Sequence, residues 1–305
     1  MPAHPLVSIL IPAYNSRFFE ASFASSIAQS YESVEIIVGD DSGGNEIRDA
    51  VARRSAPHIR YVRNRERLGF HGNFAHLFSR ASGRYIKFLN DDDVLHPDCV
   101  SSMVAALEFL GSQASLVTGR RQRIDETGSV LPDTAATKPL ADNDRVFKGK
   151  PLGDRLLLQS VNRVGEPSAA MFRRSDVSPS GDTLFRILER KYTCLADMAL
   201  WLRLLAGGDM AYLAKPLSFI RDHPGQLQWS DEVAPLCMVE RYYLPRDAQS
   251  IGFLQDDAKY KSALRYGITL VQEGLSFTNL SASARALFEE AQRQITSDSA
   301  EGKGG

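Results

Sequence analysis

Arg84-Tyr85-Ile86-Lys87-Phe88-Leu89 alternates polar with apolar, β-favouring residues and then runs directly into Asn90-Asp91-Asp92-Asp93. A chain built this way must end a strand where three carboxylates can be tolerated together. Ionised side chains crowded at a strand end repel one another, which raises the pKa of each. A divalent cation relieves that repulsion, and hard cations prefer oxygen ligands. The bland alternative is a solvated acidic turn. Val94-Leu95 and a helix start at His96-Pro97-Asp98 follow.

The surrounding chain decides between these readings. Val7 to Pro12 is a nearly continuous apolar run, as in a strand covered on both faces, and Ala13-Tyr14-Asn15 forms the loop after it. Phe19, Phe23 and Ile27 fall at helical spacing within 18–31. Val34 to Gly39 reads as a second strand ending in Asp40-Asp41, followed by a helix over about 45–54 and a short strand at Ile59 to Val62. A helix beginning near Asn73 leads to the acidic strand; Val100 to Leu110 is helical and Ala114 to Thr118 extended. Strands alternating with helices imply βαβ units and a mostly parallel sheet. Ligands of such sheets bind outside the carboxyl ends of the strands. Asn15, Asp40 and Asp91-Asp92 all fall just past expected strand ends, so polar groups converge on one sheet edge.

Several function classes drop out. A net charge of −1 gives no support for a nucleic-acid reader. Neither Gly-x-Gly-x-x-Gly after the first strand nor Gly-x-x-x-x-Gly-Lys-Ser/Thr occurs, against a dinucleotide oxidoreductase or a P-loop enzyme. The three cysteines, Cys99, Cys194 and Cys237, have no metal-ligand spacing, and the odd count fits free thiols in a reducing cytoplasm. No signal peptide or membrane-spanning run is evident.

Residues 7–15 (VSILIPAYN), 35–42 (EIIVGDDS) and 81–93 (ASGRYIKFLNDDD) resemble, in order and spacing, the family 2 glycosyltransferases of the GT-A fold, with a weaker match continuing to about 225. The resemblance implies an α/β fold: a GT-A type, Rossmann-like, mostly parallel sheet flanked by helices, with a helical C-terminal extension. It implies a catalytic domain over 1–225, with a nucleotide-sugar-binding half (1–118) and an acceptor-side half (119–225). A helical region (226–296) and a disordered tail (297–305) would follow.

The same resemblance places Pro12, Ala13, Tyr14 and Asn15 in the nucleoside pocket and Asp40 on the base. Asp91 and Asp92 fall on the metal-binding acidic motif, with Asp92 on the cation, Mg²⁺ or Mn²⁺. Asn90 stands where the family usually has Asp, which leaves open whether Asp91 or Asn90 faces the ribose. Asp93 would cap the next turn or support its neighbours. Arg67 would reach base or diphosphate; the alternative is an exposed loop arginine.

The second half is less regular. Gly119 to Leu131 reads as a hairpin, 132–150 as a mobile polar loop, and Ala169 to Phe172 as a strand after Glu166-Pro167-Ser168, the acceptor-facing floor in the family. Leu200, Trp201, Leu204 and Leu205 give a helix its apolar face. Asp197 in the first turn of that helix caps it; by resemblance, Ala196-Asp197 matches a Glu-Asp pair whose Asp is the catalytic base, with the Glu missing. Leu217 to His223 closes the domain. A lone His is usually a satisfied residue, but the family carries Arg-x-His here, giving His223 a metal role and Arg221 a diphosphate role. From about Trp229 helices replace strands, and their aromatic residues read as core or as self-association surface.

The resemblance thus implies an inverting, metal-dependent glycosyltransferase using a UDP-, dTDP- or GDP-sugar and a saccharide or lipid-linked hydroxyl acceptor. Expected settings are polysaccharide, glycolipid or glycoconjugate biosynthesis, in the cytoplasm or peripheral to the inner membrane face. The rivals are a sugar nucleotidyltransferase, which should carry a glycine- and basic-rich loop where Pro12 to Ser16 stands, and a non-catalytic nucleotide-sugar-binding relative, kept open by Asn90 and Ala196.

Overall fold

The computed structural model describes residues 4–178, 181–226 and 232–301. In chain order the strands are β1 (Val7–Ala13), β2 (Val34–Asp40), β3 (Ile59–Arg63), β4 (Tyr85–Phe88), β5 (Val94–Leu95), β6 (Ala114–Ile124), β7 (Val130–Leu131), β8 (Arg145–Phe147), β9 (Ala170–Arg173), β10 (Arg186–Ile187), β11 (Arg190–Lys191) and β12 (Asp209–Arg221). The helices are α1 (Phe19–Ile27), α2 (Glu46–Ala52), α3 (Gly69–Arg80), α4 (Cys99–Leu110), α5 (Gly149–Gln159), α6 (Ala196–Gly207), α7 (Ala234–Ser250), α8 (Asp257–Ser276) and α9 (Ala282–Glu301). They form two compact units, one from 1–149, 162–184 and 207–223, the other from 150–161, 185–206 and 224–305.

The first unit is built on a mixed sheet of order β3-β2-β1-β4-β9-β6-β12-β5, with β7 added to β6 and β8 to β12. β1 is parallel to β2 and to β4, β2 to β3, and β6 to β12. β9 runs antiparallel between β4 and β6. The apolar run of β1 earns its central place: Val7, Ile9, Leu10 and Ile11 are fully buried. Ile9 and Ile11 join Phe19, Phe23, Ile36, Val38, Tyr85, Cys99 and Met103 in one core. Glu35 fastens the opposite end of these strands. Its Oε1 accepts from Ser8 Oγ (2.6 Å), Ser82 N (2.6 Å), Ser82 Oγ (2.8 Å) and Gly83 N (3.1 Å).

Several local expectations change. α3 begins at Gly69 rather than near Asn73, because Asp41 accepts the N–H groups of Leu68 and Gly69. Residues 114–118 and 119–124 form one strand, β6, which continues through the hairpin to β7. The mobile loop expected over 132–150 is instead held: β8 pairs with β12, and Arg121 and Arg163 donate to the carbonyls of Ala136, Lys138 and Pro139. Guanidinium groups that bind main-chain carbonyls leave no trace in hydrophobic periodicity.

In the second unit, α7, α8 and α9 pack with Tyr242, Phe253 and Phe288 buried. Here the cysteine expectation is overturned. Cys194 and Cys237 form a disulfide with Cα atoms 5.0 Å apart, and Cys99 alone is a free, buried thiol. Sequence spacing says nothing of such proximity, and 5.0 Å lies within disulfide reach. α9 runs to Glu301, so the unstructured tail expected from Ser297 is helical through 301, and 302–305 lie outside the described residues, as does the change of character near Trp229. No described helix is long and apolar enough to cross a membrane.

Candidate active site

β1, β2 and β4 deliver their carboxyl ends side by side. Ala13 stands opposite Asp40 in register, Asp41 N donates to Ala13 O (2.8 Å), and Leu89 N to Leu10 O (2.9 Å). The loop after β1 is then tied to the acidic run. Asp91 Oδ2 accepts from both Tyr14 N and Asn15 N at 2.7 Å. Burial first, and Asp92 second, push the Asp91 carboxyl up to about 6, against the pull of those two amides.

Each member of the acidic run has its own task. Asn90 is a brace: its carbonyl accepts from Ser22 Oγ (2.8 Å), its N donates to Ser168 Oγ (2.9 Å), and its amide donates to Asp93 Oδ2 (3.1 Å). Asp93 is buried, accepts from Arg221 N (3.0 Å), and is pushed well up by burial and by Asp92. Asp92 Oδ2 lies 3.1 Å from His223 Nε2. Burial raises the Asp92 carboxyl too, and His223 offsets part of that rise.

Arg221 is buried, and its guanidinium is engaged by the main chain. Nε donates to Asp92 O (2.8 Å) and Nη1 to Asp125 O (2.7 Å) and Glu126 O (3.2 Å). Phe18 packs under it, 4.6 Å from ring centroid to guanidinium, and lies 5.1 Å from the His223 ring. Phe18 thereby fixes both β12-end residues, a role its place at the start of an amphipathic helix concealed. Arg67 stacks over the Tyr14 ring at 4.4 Å, and Tyr14 remains 53% exposed. This half-open aromatic face is the one flat apolar surface among the expected nucleoside-pocket residues.

Other expected residues lie deeper. Asp40 is fully buried; Oδ1 accepts from Ser42 N (2.9 Å) and Ser42 Oγ (2.6 Å), and Oδ2 from Tyr61 OH (2.6 Å). Burial and this bond push the Tyr61 phenol up to about 12. Asp41, which sequence reasoning passed over, holds the Arg67 loop through Asn64 Nδ2 (2.9 Å), Leu68 N (2.8 Å) and Gly69 N (2.8 Å). Glu166 pairs with the buried Arg121 (3.0 Å). Pro167 and Ser168 are buried, and the Ser168 carbonyl accepts from Ser218 Oγ (2.8 Å) and from the fully buried Lys87. Asp197 belongs to the second unit, in the first turn of α6, where Oδ1 accepts from Met198 N (2.6 Å).

One carboxylate, Asp92, and one imidazole, His223, stand close enough together to face a single cation. Two ligands of one octahedral ion sit about 3 Å apart, which the Asp92–His223 spacing matches. Crowded, buried carboxylates favour any added positive charge. Among the described residues no three His, Cys, Asp or Glu side chains form a metal cage. An ion here would complete its shell with phosphate oxygens and water, as Mg²⁺ habitually does.

The profile described as Glycosyl transferase family 2 matches residues 8–178, more than half of the chain. The chain belongs to glycosyltransferase family 2. Among curated relatives, an uncharacterized Mycobacterium tuberculosis protein, MT1568, is 28% identical over 73% of this chain and 68% of its own length. WfaP of Escherichia coli, a UDP-Glc:alpha-D-GlcNAc-diphosphoundecaprenol beta-1,3-glucosyltransferase, is 33% identical over 34% of this chain and 41% of its own. The crystal structure of S. aureus TarS 1-349 in complex with UDP-GlcNAc covers 94% of this chain and 79% of that one, with a TM-score of 0.62 at 14% identity. That likeness shows the GT-A fold. The two ends of the family profile, β1 and the segment just beyond β9, bracket the acidic run, whereas Arg221 and His223, which reach that run from the end of β12, lie beyond the matched residues of this glycosyltransferase.

Proposed function

We propose that this family 2 glycosyltransferase moves a sugar from a nucleoside diphosphate sugar to a hydroxyl acceptor, with inversion and with a divalent cation. The observation that carries the reading is the carboxyl-edge cluster: a backbone loop anchored on Asp91 beside an Asp92–His223 pair. Such an edge is where α/β sheets hold nucleotides. A UDP-sugar is the first donor to try, on the names of WfaP and the TarS complex. WfaP's name also points to a lipid-linked saccharide acceptor.

In this reading the Tyr14 face and Arg67 receive the base, Asp92 and His223 hold the cation, and the Asp91-anchored loop sets where the donor lies. A cation held there would supply charge stabilisation for the departing diphosphate. Asp197 takes the proton from the acceptor hydroxyl as the new bond forms; such general-base help is worth ~10²–10⁴ in rate. It stands in the first turn of α6, where its Oδ1 accepts from Met198 N.

The test is a thermal-shift and calorimetry screen of UDP, dTDP and GDP, each with Mn²⁺, with Mg²⁺ and with EDTA. One base should bind, and only with the metal; equal binding in EDTA would refute the metal-held diphosphate. Proton NMR of the product's anomeric signal then reads inversion directly, and retained configuration would remove Asp197 from its role.

A further inference from the structure

The second unit devotes buried charge to the few residues that precede Asp197. α7 presents Cys237, Glu240 and Asp247, and all three grip the segment 190–195. Cys237 is bonded to Cys194. Glu240, only 6% exposed, accepts from Thr193 N through Oε1 and from Leu195 N through Oε2, both at 2.7 Å. Asp247 accepts from Tyr192 OH (2.6 Å) and Arg190 Nε (3.0 Å), with the Arg190 guanidinium 3.6 Å over the Tyr243 ring. The grip passes straight into the helix, because the Leu195 carbonyl receives the bond from Ala199 N (2.9 Å). Both main-chain ends of Leu195 are therefore fixed, one by Glu240 and one by α6, and Asp197 lies two residues on.

A carboxylate this deeply buried is costly unless its oxygens are used, and Glu240 uses both on two amides, those of Thr193 and Leu195, of one short strap. A fold that needed only to fill the space would do so with an apolar side chain at less cost. We infer that Glu240 is a positioning residue for the Asp197-bearing turn, and that α7 sets the aim of the proposed base. This rests on Asp197 acting as the proton acceptor. It assigns a task in the reaction to C-terminal helices that otherwise read only as packing.

The experiment uses the intact chain, with UDP-glucose and Mn²⁺ as the turnover probe and amide hydrogen exchange as a probe that needs no turnover. Glu240→Ala should speed exchange of the amides over 193–199 at least ~10-fold while β1 and β4 keep their protection. It should also lower kcat at least ~10-fold with KM for UDP-glucose within about twofold, and Glu240→Gln, which keeps one acceptor, should fall between. In the Asp197→Asn background, Glu240→Ala should cost nothing further. Unchanged exchange over 193–199, or parallel losses in kcat and UDP affinity, would overturn the inference. An inactive Asp197→Asn with a fully active Glu240→Ala sinks this inference alone; a fully active Asp197→Asn sinks the base assignment itself.

Discussion

At the scale of single residues, the acidic run separates into a brace, an anchor, a partner of the His223 imidazole and a buried support, although its four members are adjacent. Asp92 is the one whose carboxylate faces an imidazole, so its loss should be read in metal-dependent binding. Asp92→Ala should weaken UDP binding at least ~10-fold in Mn²⁺ and leave the EDTA baseline unmoved, measured by calorimetry. Asp40 makes the contrasting case. Its oxygens serve Ser42 and Tyr61, so Asp40→Ala leaves a half-buried phenol without its acceptor and should cost about 0.5–1.5 kcal/mol of stability in chemical denaturation without any nucleotide present. A variant with full stability and no UDP binding would instead put Asp40 on the base. The sequence could place these carboxylates past strand ends, because strand period and charge are local signals. It could not say which way each one turns, since partners such as His223 and Tyr61 arrive from 131 and 21 positions away.

At the scale of elements, β1, β2 and the turn into β4 are held in register by Glu35, whose pKa is lowered. Burial opposes that shift, and the hydroxyls and amides of Ser8, Ser82 and Gly83 outweigh it. A carboxyl whose folded pKa lies below its unfolded value contributes stability above the unfolded pKa, about 4.3, and loses it as pH falls through the folded value. Wild type should therefore exceed Glu35→Gln in denaturation free energy at pH 7, and the gap should narrow steadily toward pH 3. A gap independent of pH would mean that shape, not charge, holds the turn. Gly83 belongs to the same clamp: a Cβ there would meet Ser8 N at 2.5 Å, a backbone atom that cannot step aside. Gly83→Ala should destabilise by about 1–3 kcal/mol, the usual cost of overpacking, and a neutral result would show the β1–β4 spacing to be slack. The strands and helices of 1–118 were legible because each carries its own periodicity. β8 was not: its residues are extended only because β12 lies alongside, and the distant Arg121 and Arg163 hold the loop before it.

At the scale of the molecule, chain order and spatial order part company. The first unit is assembled from three separate stretches and the second from three others, so no composition shift along the chain marks either. The disulfide belongs to this scale, since it closes a 43-residue separation within the second unit. Three cysteines allow three pairings, and nothing in their spacing selects Cys194 with Cys237. In the chain-entropy account, closing a loop of this length disfavours the unfolded chain by about 4 kcal/mol, and strain or residual structure reduces what is realised. Treatment with dithiothreitol should thus lower unfolding stability by about 2–4 kcal/mol, and Cys194→Ala with Cys237→Ala should show the same loss with no response to reductant. The comparison must be made at fixed nucleotide and metal, because a bound ligand stabilises by mass action. If dithiothreitol left both the midpoint and the double variant unchanged, the segment before α6 would owe its place to Glu240 and Asp247 alone, and the covalent link would be incidental to the fold.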